Sequence, residues 1–226
     1  MTAVVKPQSG PRGARTVRAE STRDAILTAA ERLFAEHGVF AVSNRQVSEA
    51  AGQGNNAAVG YHFGTKADLL RAIVRKHNAV IERRCQAMVE QVGAHPQLRD
   101  WVECLVRPLS AHLTELGSPT WYARFSAQLM PDPAHRDIVS GESLTSSSVL
   151  AVMEGLCRCL PQMPPGVRVE RNAMARQLIV GMFAERERAI AAGDPTPHPS
   201  WDAMATSLID AITGLMAAPI TSGSTR

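Results

Sequence analysis

The stretch AAGQGNNAAVGYHFGTKADLL, from Ala50 to Leu70, contains the most informative pattern in the chain. Two glycines and two asparagines precede a very short apolar pattern, which ends at Phe63 and is followed by Gly-Thr-Lys and a new amphipathic run. Three kinds of site compete for such residues: a metal site, a phosphate-binding loop and a helix that reads DNA.

Two of these alternatives lack the residues that they need. His62 and His77 have no cysteine or carboxylate partner at metal-ligand spacing. The sequence GQGNNA departs from the Gly-x-Gly-x-x-Gly pattern, and it follows a helical pattern rather than a strand. Cys157 and Cys159 lie in an apolar helical pattern with no second pair nearby, which favours buried, inert thiols. We therefore expect no metal and no cofactor.

The third alternative, a helix-turn-helix, explains the shortness of the pattern. A tight turn with glycine can hold a short second helix out from the body of a domain, and a helix fits the major groove of B-DNA. We predict this helix over residues 56–63. The side chains expected to face the core are Ala58, Val59 and Phe63, and those on the opposite face are Asn56, Ala57, Gly60 and Tyr61.

Single residues of this segment fit contact with DNA. Asn55 is a good N-cap residue, and Asn56 at the helix start could form two hydrogen bonds to N6 and N7 of adenine. Gly60 costs ~1 kcal/mol relative to alanine in a helix interior, and a close approach of the backbone to DNA would explain it. Tyr61 offers a ring and a hydroxyl for a phosphate or a thymine methyl group. His62 suits either packing or a phosphate contact.

The segment after the reading helix also suits a phosphate. Thr65 and Lys66 open the next amphipathic helix, and the free N–H groups at a helix start attract anions. Up to residue 80 the chain has 11 Lys and Arg against 6 Asp and Glu, whereas the remainder has 13 against 15. This uneven charge indicates that a polyanion meets the N-terminal part.

Composition and periodicity indicate a helical protein in the cytoplasm. The apolar content of 45% and charged content of 20% are ordinary for a globular protein. No apolar run approaches the ~20 residues that span a bilayer, and the first residues do not form a secretory signal. Four irregularly spaced cysteines favour a reduced protein. The apolar residues recur at spacings of three and four, so the class is all-α, with about nine helices.

The pattern divides the chain into four regions. We expect a disordered basic arm over 1–20, a three-helix helix-turn-helix domain over 21–66, a helical-bundle domain for effector binding and dimerisation over 67–217, and a disordered tail over 218–226. Within the bundle, one helix is expected to run from the break at MPDPAH to near CLPQMPPG, and Pro108 implies a kink or a boundary.

Residues 21–70 resemble the DNA-binding domain of the TetR family of bacterial repressors. The matching elements are LFAEHG at the end of the first helix, Ser-Asn-Arg at the start of the second, Ala-Gly at its end, and HFGTK after the reading helix. Two features depart from the family pattern. Gly60 stands at the usual tyrosine position, with the aromatic moved to Tyr61, and the turn is one residue longer.

The resemblance implies roles for most of these residues. It implies that DNA-backbone contacts come from Ser43, Arg45, Tyr61, His62 and Lys66, and that the residues nearest the bases are Asn55, Asn56 and Ala57. It further implies a homodimer through the last two helices, 167–192 and 201–217, which are rich in apolar and small residues on more than one face. Such a dimer would bind a palindromic double-stranded DNA operator.

An effector site is expected in the body, where large, flexible apolar side chains accompany a few polar groups. The residues expected to contact the effector are Trp101, Cys104, Leu105, Trp121, Tyr122, Phe125, Gln128, Met153, Met182 and Phe183. No run of basic residues indicates a strongly acidic ligand, so a small, largely apolar organic molecule is favoured.

The leading hypothesis is therefore a repressor that its effector releases from DNA. The alternative is an activator, or a DNA-binding protein of the same fold that needs no effector. No Ser-His-Asp ordering, Gly-x-Ser-x-Gly element or carboxylate pair indicates catalysis, so we do not expect an enzyme.

Overall fold

The computed structural model describes residues 11–55, 57–144 and 146–220. In that part of the chain all regular secondary structure is helical, which confirms the predicted all-α class. The ten helices are α1 (Pro11–His37), α2 (Asn44–Ala50), α3 (Ala58–Phe63), α4 (Lys66–Gln91), α5 (Leu98–Leu116), α6 (Tyr122–Leu129), α7 (Pro133–Leu144), α8 (Ser147–Cys159), α9 (Pro165–Ala192) and α10 (Trp201–Ala217). None of these described helices has the length and apolar sequence that a membrane crossing requires.

The first compact unit extends to Ile73 and holds the helix-turn-helix. Helix α2 packs against both α1 and α3. The apolar stripe of α1 supplies much of the core, because its residues recur every three or four positions on one face. The fully buried side chains of α1 to α3 include Ile26, Ala30, Phe34, Val47 and Val59.

Helix α1 begins earlier than the sequence pattern predicts. It starts at Pro11, so residues 11–20 of the predicted disordered arm are helical, while residues 1–10 lie outside the described part. Proline suits the first helical position, and alanine and arginine favour helix. Residues 17–20 are all exposed, so no apolar stripe marks this part of the helix.

The boundary between the two units also lies elsewhere. It falls between Ile73 and Val74, inside α4, rather than at residue 66. Leu69, Leu70 and Ile73 are fully buried in the first unit. The apolar stripe of α4 continues across the division, so periodicity alone does not reveal it.

The region predicted as one helix before CLPQMPPG is two helices, α7 and α8. Ser146 between them is extended, and its Oγ accepts the N–H of Val149 at 3.2 Å. The carboxylate of Glu82 on α4 accepts hydrogen bonds from the hydroxyl groups of Ser146 and Ser148, the latter at 2.8 Å. A distant carboxylate thus fixes the start of α8, which local sequence does not show.

In the second unit, α5 packs against α8 and α10, and α6 packs against α9. Pro108 lies inside α5 without ending it, contrary to a boundary there. Proline lacks the N–H that would bond the carbonyl four residues earlier, on Cys104. The Cys85 thiol donates to that carbonyl at 3.3 Å, so the freed acceptor is satisfied from α4.

Hydrogen bonds from α9 hold part of the C-terminal end of the described chain. Residues 218–220, part of the predicted disordered tail, have no regular structure, and residues 221–226 lie outside the described part. The guanidinium of Arg171 on α9 donates to the carbonyls of Met216 at 2.7 Å and Pro219 at 3.4 Å.

Candidate nucleic-acid interface and effector cavity

Helix α2 is fixed at its start by a reciprocal cap. The Ser43 Oγ accepts the N–H of Gln46 at 3.3 Å, and the Gln46 Oε1 accepts the N–H of Ser43 at 2.8 Å. Arg45 is exposed and forms an ion pair with Glu49 at 2.8 Å, four residues on along the helix. The hydrogen bond and charge of Glu49 raise the pKa of Arg45. Both predicted backbone-contact residues of α2 therefore lie at its exposed start.

The turn between α2 and α3 is longer than predicted, because α3 begins at Ala58 rather than at residue 56. Gly52 has a φ of 67°, which is the left-handed conformation that favours glycine. The Asn55 Oδ1 accepts the N–H of Ala57 at 2.9 Å, and the Asn55 carbonyl accepts the N–H of Ala58 at 3.0 Å. These bonds close a tight turn where the first helical turn was expected. Asn56 lies outside the described residues.

Helix α3 exposes one face and buries Ala58 and Val59 on the other, as its sequence predicts, whereas Phe63, predicted to face the core, is only half-buried. Ala57 and Gly60 are exposed, and Tyr61 is 87% exposed. On the opposite side Ala58 and Val59 are buried. Six residues give this helix less than two turns. The tyrosine ring is therefore almost fully available to a partner outside the chain.

Sequence reasoning missed Arg23, a residue of α1 that holds the end of α3. Its guanidinium carbon lies 4.2 Å from the centre of the Phe63 ring, and its Nη1 donates to the carbonyl of His62 at 3.0 Å. Phe63 and His62 are half-buried. The His62 ring packs edge-on against Tyr61 at 5.1 Å. An arginine on an exposed face of α1 gave no signal of this long-range contact.

The start of α4 differs from the predicted phosphate anchor. Thr65 and Asp68 cap each other, with Thr65 Oγ1 to Asp68 Oδ2 at 2.6 Å and the Asp68 N–H to Thr65 Oγ1 at 3.1 Å. These bonds to Thr65 hold the pKa of Asp68 below its ordinary value, so a negative charge already occupies the helix start.

Lys66 is directed inward in the described structure. Its Nζ donates to the carbonyl of Val42 at 2.6 Å and lies 5.6 Å from the centre of the Phe34 ring. Burial lowers the pKa of Lys66. The long lysine stem reaches the turn before α2, so a phosphate contact requires the ammonium group to share or leave the Val42 carbonyl.

The second unit contains a cavity of about 280 Å³ between α4, α5, α6, α8, α9 and α10. Four of the ten residues predicted to contact an effector line it, namely Leu105, Tyr122, Met153 and Phe183. Its other lining residues are mostly apolar and come from all six helices. The geometry thus brings together residues up to 138 positions apart, from Asn78 to Met216.

A neighbouring cavity of about 440 Å³ is also lined by Cys104 and Cys85. It shares four lining residues with the first cavity, namely Asn78, Ile81, Leu105 and Val149. Burial is the main reason that the pKa of Cys104 rises to about 11. Burial likewise raises the pKa of Cys85. Both thiols are therefore protonated near neutral pH and are weak nucleophiles.

Five predicted effector residues line neither cavity. Trp101 and Phe125 are packed in the core, Trp121 precedes α6, and Gln128 and Met182 are exposed. The ring of Trp101 packs so closely on Gly155 of α8 that a Cβ at that glycine would overlap it. A large apolar side chain predicts burial, but only the tertiary arrangement decides whether it borders a cavity or fills it.

Tyr122 is held in the cavity wall by polar groups. Its ring stacks on His77 at 3.9 Å, and its hydroxyl donates to Asn78 Oδ1 at 3.2 Å. His77 Nδ1 and His112 Nε2 are 2.8 Å apart, so one ring donates and the other accepts. Burial, then His77 and Arg84, lower the pKa of His112 to about 4, so His112 is neutral at pH 7.

A buried carboxylate connects two more helices of the cavity wall. Glu187 of α9 is 1% exposed and accepts the backbone N–H groups of Ala123 at 3.2 Å and Arg124 at 2.8 Å. The guanidinium of Arg124 donates to the same carboxylate at 3.2 Å. Burial raises the pKa of Glu187, and the N–H donors with the charge of Arg124 oppose that rise.

Comparison with known proteins places the first unit in a family. The sequence profile of bacterial regulatory proteins of the tetR family matches residues 26–73. The HTH-type transcriptional repressor AcnR of Corynebacterium diphtheriae is 33% identical over 85 residues, which are 35% of this chain and 44% of the relative. AcnR of Corynebacterium glutamicum is 32% identical over 87 residues, 36% of this chain and 46% of the relative. The chain thus matches less than half the length of these curated relatives.

The likeness in structure extends further along the chain. NalD, the secondary repressor of the MexAB-OprM multidrug efflux pump in Pseudomonas aeruginosa, is 25% identical, with a TM-score of 0.55. This match covers 86% of the present chain and 95% of NalD. Both the helix-turn-helix and the helical second unit therefore have counterparts in a known repressor. The first unit therefore carries a DNA-binding domain of the TetR family of bacterial regulatory proteins.

Proposed function

We propose that this protein is a DNA-binding transcriptional repressor that reads its operator with α3. The observation that carries the proposal is the exposed face of α3, where Ala57, Gly60 and Tyr61 lie opposite the buried Ala58 and Val59. A helix with one such free face fits the major groove. The relatives AcnR and NalD are repressors, which supports this sign of regulation.

The surrounding residues support contact with the DNA backbone. Ser43 and Arg45 are exposed at the start of α2, and Asn55 is exposed in the turn before α3. We propose that these side chains, with Tyr61, meet the phosphates and bases. Thr65 caps α4 together with Asp68, and Lys66 mainly holds the turn at Val42. The excess of basic residues in the first 80 positions agrees with a polyanionic partner.

The repressor is proposed to act as a homodimer through α9 and α10. On α9 the side chains of Met174, Leu178 and Met182 recur every four residues and are 50%, 36% and 46% exposed. On α10 Ala211 and Gly214 are exposed, and such small residues permit close helix packing. An apolar stripe of this kind is what an isologous interface buries. The two reading helices would then meet two half-sites of a palindrome.

The cavity of about 280 Å³ is proposed as the effector site. Its ligand would bind one conformation of the dimer better than the other and so change the affinity for the operator. In this role the protein works on DNA in the cytoplasm, and we expect no catalytic turnover.

Footprinting tests this function on DNA that flanks the gene. We expect two protected half-sites, related by two-fold symmetry, with centres roughly 34 Å or slightly more apart along the duplex. Affinity should fall steeply as salt rises, because phosphate contacts release counterions. Absence of protection, or binding that does not depend on salt, would contradict the proposal. A single half-site would contradict the dimer.

A further inference from the structure

The proposed effector cavity has mainly apolar walls. Leu105 and Leu109 of α5 line it together with Ile179, Val180 and Phe183 of α9. A volume of about 280 Å³ lies just below the ~300–1,000 Å³ of most small-molecule pockets. If each water-sized group occupies about 30 Å³, the cavity holds a ligand of about ten non-hydrogen atoms.

One charged side chain lines this cavity among the described residues, namely Arg176 of α9. Its Nε is buried and has no hydrogen-bond acceptor, and no aspartate or glutamate in the described ranges lines the cavity. Asn172, one helical turn earlier, also lines it and offers an amide beside the guanidinium. The wall therefore presents N–H donors and a positive charge with no anion to receive them.

Three other arginines of the second unit donate hydrogen bonds to acceptors within the chain. Arg124 donates to the carboxylate of Glu187, Arg171 to the carbonyl of Met216, and Arg186 to the carbonyl of His198. A guanidinium that is buried in part is stabilised by such acceptors, and an unbonded N–H is unfavourable. The Nε of Arg186 also lacks an acceptor, but the Nη1 of that residue has one. In the described part of the chain Arg176 has no such second bond, so an acceptor from outside the chain would supply it.

We propose that the effector is a small amphipathic carboxylic acid, whose carboxylate binds Arg176 and whose apolar body fills the cavity. This inference rests on the proposed effector site and adds the chemical class of its ligand. A carboxylate matches the planar guanidinium with two parallel hydrogen bonds. An amphipathic cation of equal size would bring a second positive charge beside Arg176 and find no acidic side chain there.

The test compares three probes that share one apolar chain: octanoate, 1-octanol and octylammonium. Binding to the full chain is measured by isothermal titration calorimetry at pH 7, without DNA. We expect octanoate to bind about tenfold or more tightly than 1-octanol, and octylammonium to bind more weakly than either. Octylammonium binding as tightly as octanoate, or no octanoate binding at millimolar concentration, would overturn the proposal.

The variant Arg176→Gln removes the charge and keeps a polar side chain. It should weaken octanoate binding by about tenfold to a hundredfold, because a charge-assisted pair is lost, and leave 1-octanol within about twofold. The octanoate affinity of Arg176→Lys should lie between those of Arg176→Gln and the wild type. The matched control is Arg83→Gln, an exposed arginine of α4, which should bind all probes as the wild type does. Unchanged octanoate affinity in Arg176→Gln would contradict the assignment.

Two checks separate this inference from the proposed function. The probe series on the wild-type protein remains decisive if Arg176→Gln fails to fold. Operator binding is measured in a separate titration, so loss of DNA binding would contradict the repressor function and leave the ligand class untouched. Specific octanoate binding that does not alter operator affinity would contradict the effector role of the cavity.

Discussion

Gly60 shows at the scale of one residue how folding and DNA reading impose different demands. It lies on the exposed face of α3, and a Cβ added there would meet no atom within 4 Å. Its φ is not in the left-handed region, so no backbone requirement calls for glycine. Glycine is unfavourable inside a helix. We propose that glycine stands here because the backbone of α3 approaches DNA closely at this position.

Replacing this glycine should have opposite effects on the two properties. We expect Gly60→Ala to raise the free energy of unfolding by about 0.5–1 kcal/mol, measured by urea denaturation, because alanine favours helix. The same variant should lower operator affinity, measured by fluorescence anisotropy, because the methyl group separates α3 from the groove. Gly166→Ala, at another exposed helical glycine with no atom near its Cβ, should bind DNA normally. Wild-type affinity in Gly60→Ala would show that close approach is not needed.

At the scale of elements, α6 depends on a carboxylate from α9. Glu187 accepts the N–H groups at the start of α6, which have no partner within that helix. The same bonds position Tyr122 and Ala123, which line the cavity proposed for the effector. A single buried residue thereby joins the stability of the second unit to the shape of its cavity.

Glu187→Gln should destabilise the protein, although the new side chain has almost the same volume as the old one. The amide loses the charge opposite Arg124 and turns an N–H donor toward other donors. We expect a loss of about 2–3 kcal/mol in the free energy of unfolding, measured by urea denaturation. Glu154→Gln is the control, since Glu154 forms an exposed pair with Arg158 and should change stability by about 0.5 kcal/mol or less. Equal effects of the two variants would contradict the role given to Glu187.

The helix-turn-helix was predictable from sequence because its signals are local. The stripe of α1, the cap at Ser43, the Thr65 cap of α4 and the two faces of α3 all arise from residues three or four positions apart. The start of α3 was not predictable from sequence. The Asn55 side chain accepts the N–H of Ala57 and closes a tight turn where a first helical turn was expected.

Features that depend on distant residues were not predictable. The division between α7 and α8 depends on Glu82, which is 66 residues before Ser148. Arg23 reaches Phe63 from another helix. The predicted effector residues show the same difficulty. Trp101 and Tyr122 are both aromatic residues in an apolar helical pattern, yet only Tyr122 lines the cavity.

At the scale of the whole molecule, the two proposed sites lie in different compact units of one chain. The first unit carries the exposed face of α3, and the second carries the cavity with Arg176. The division between them lies inside α4, so this helix is continuous through the point where the units join.

The most direct test of α3 as the helix that reads DNA is the operator affinity of two matched variants. Ala57→Glu places a negative charge on the proposed reading face, and Ala87→Glu places one at an exposed site of the second unit. Because both alanines are exposed, neither change should unfold the protein. We predict that Ala57→Glu weakens binding by about tenfold or more, through repulsion from DNA, and that Ala87→Glu stays within about twofold of wild type. A folded Ala57→Glu variant with wild-type affinity would contradict the assignment of α3 as the helix that reads DNA.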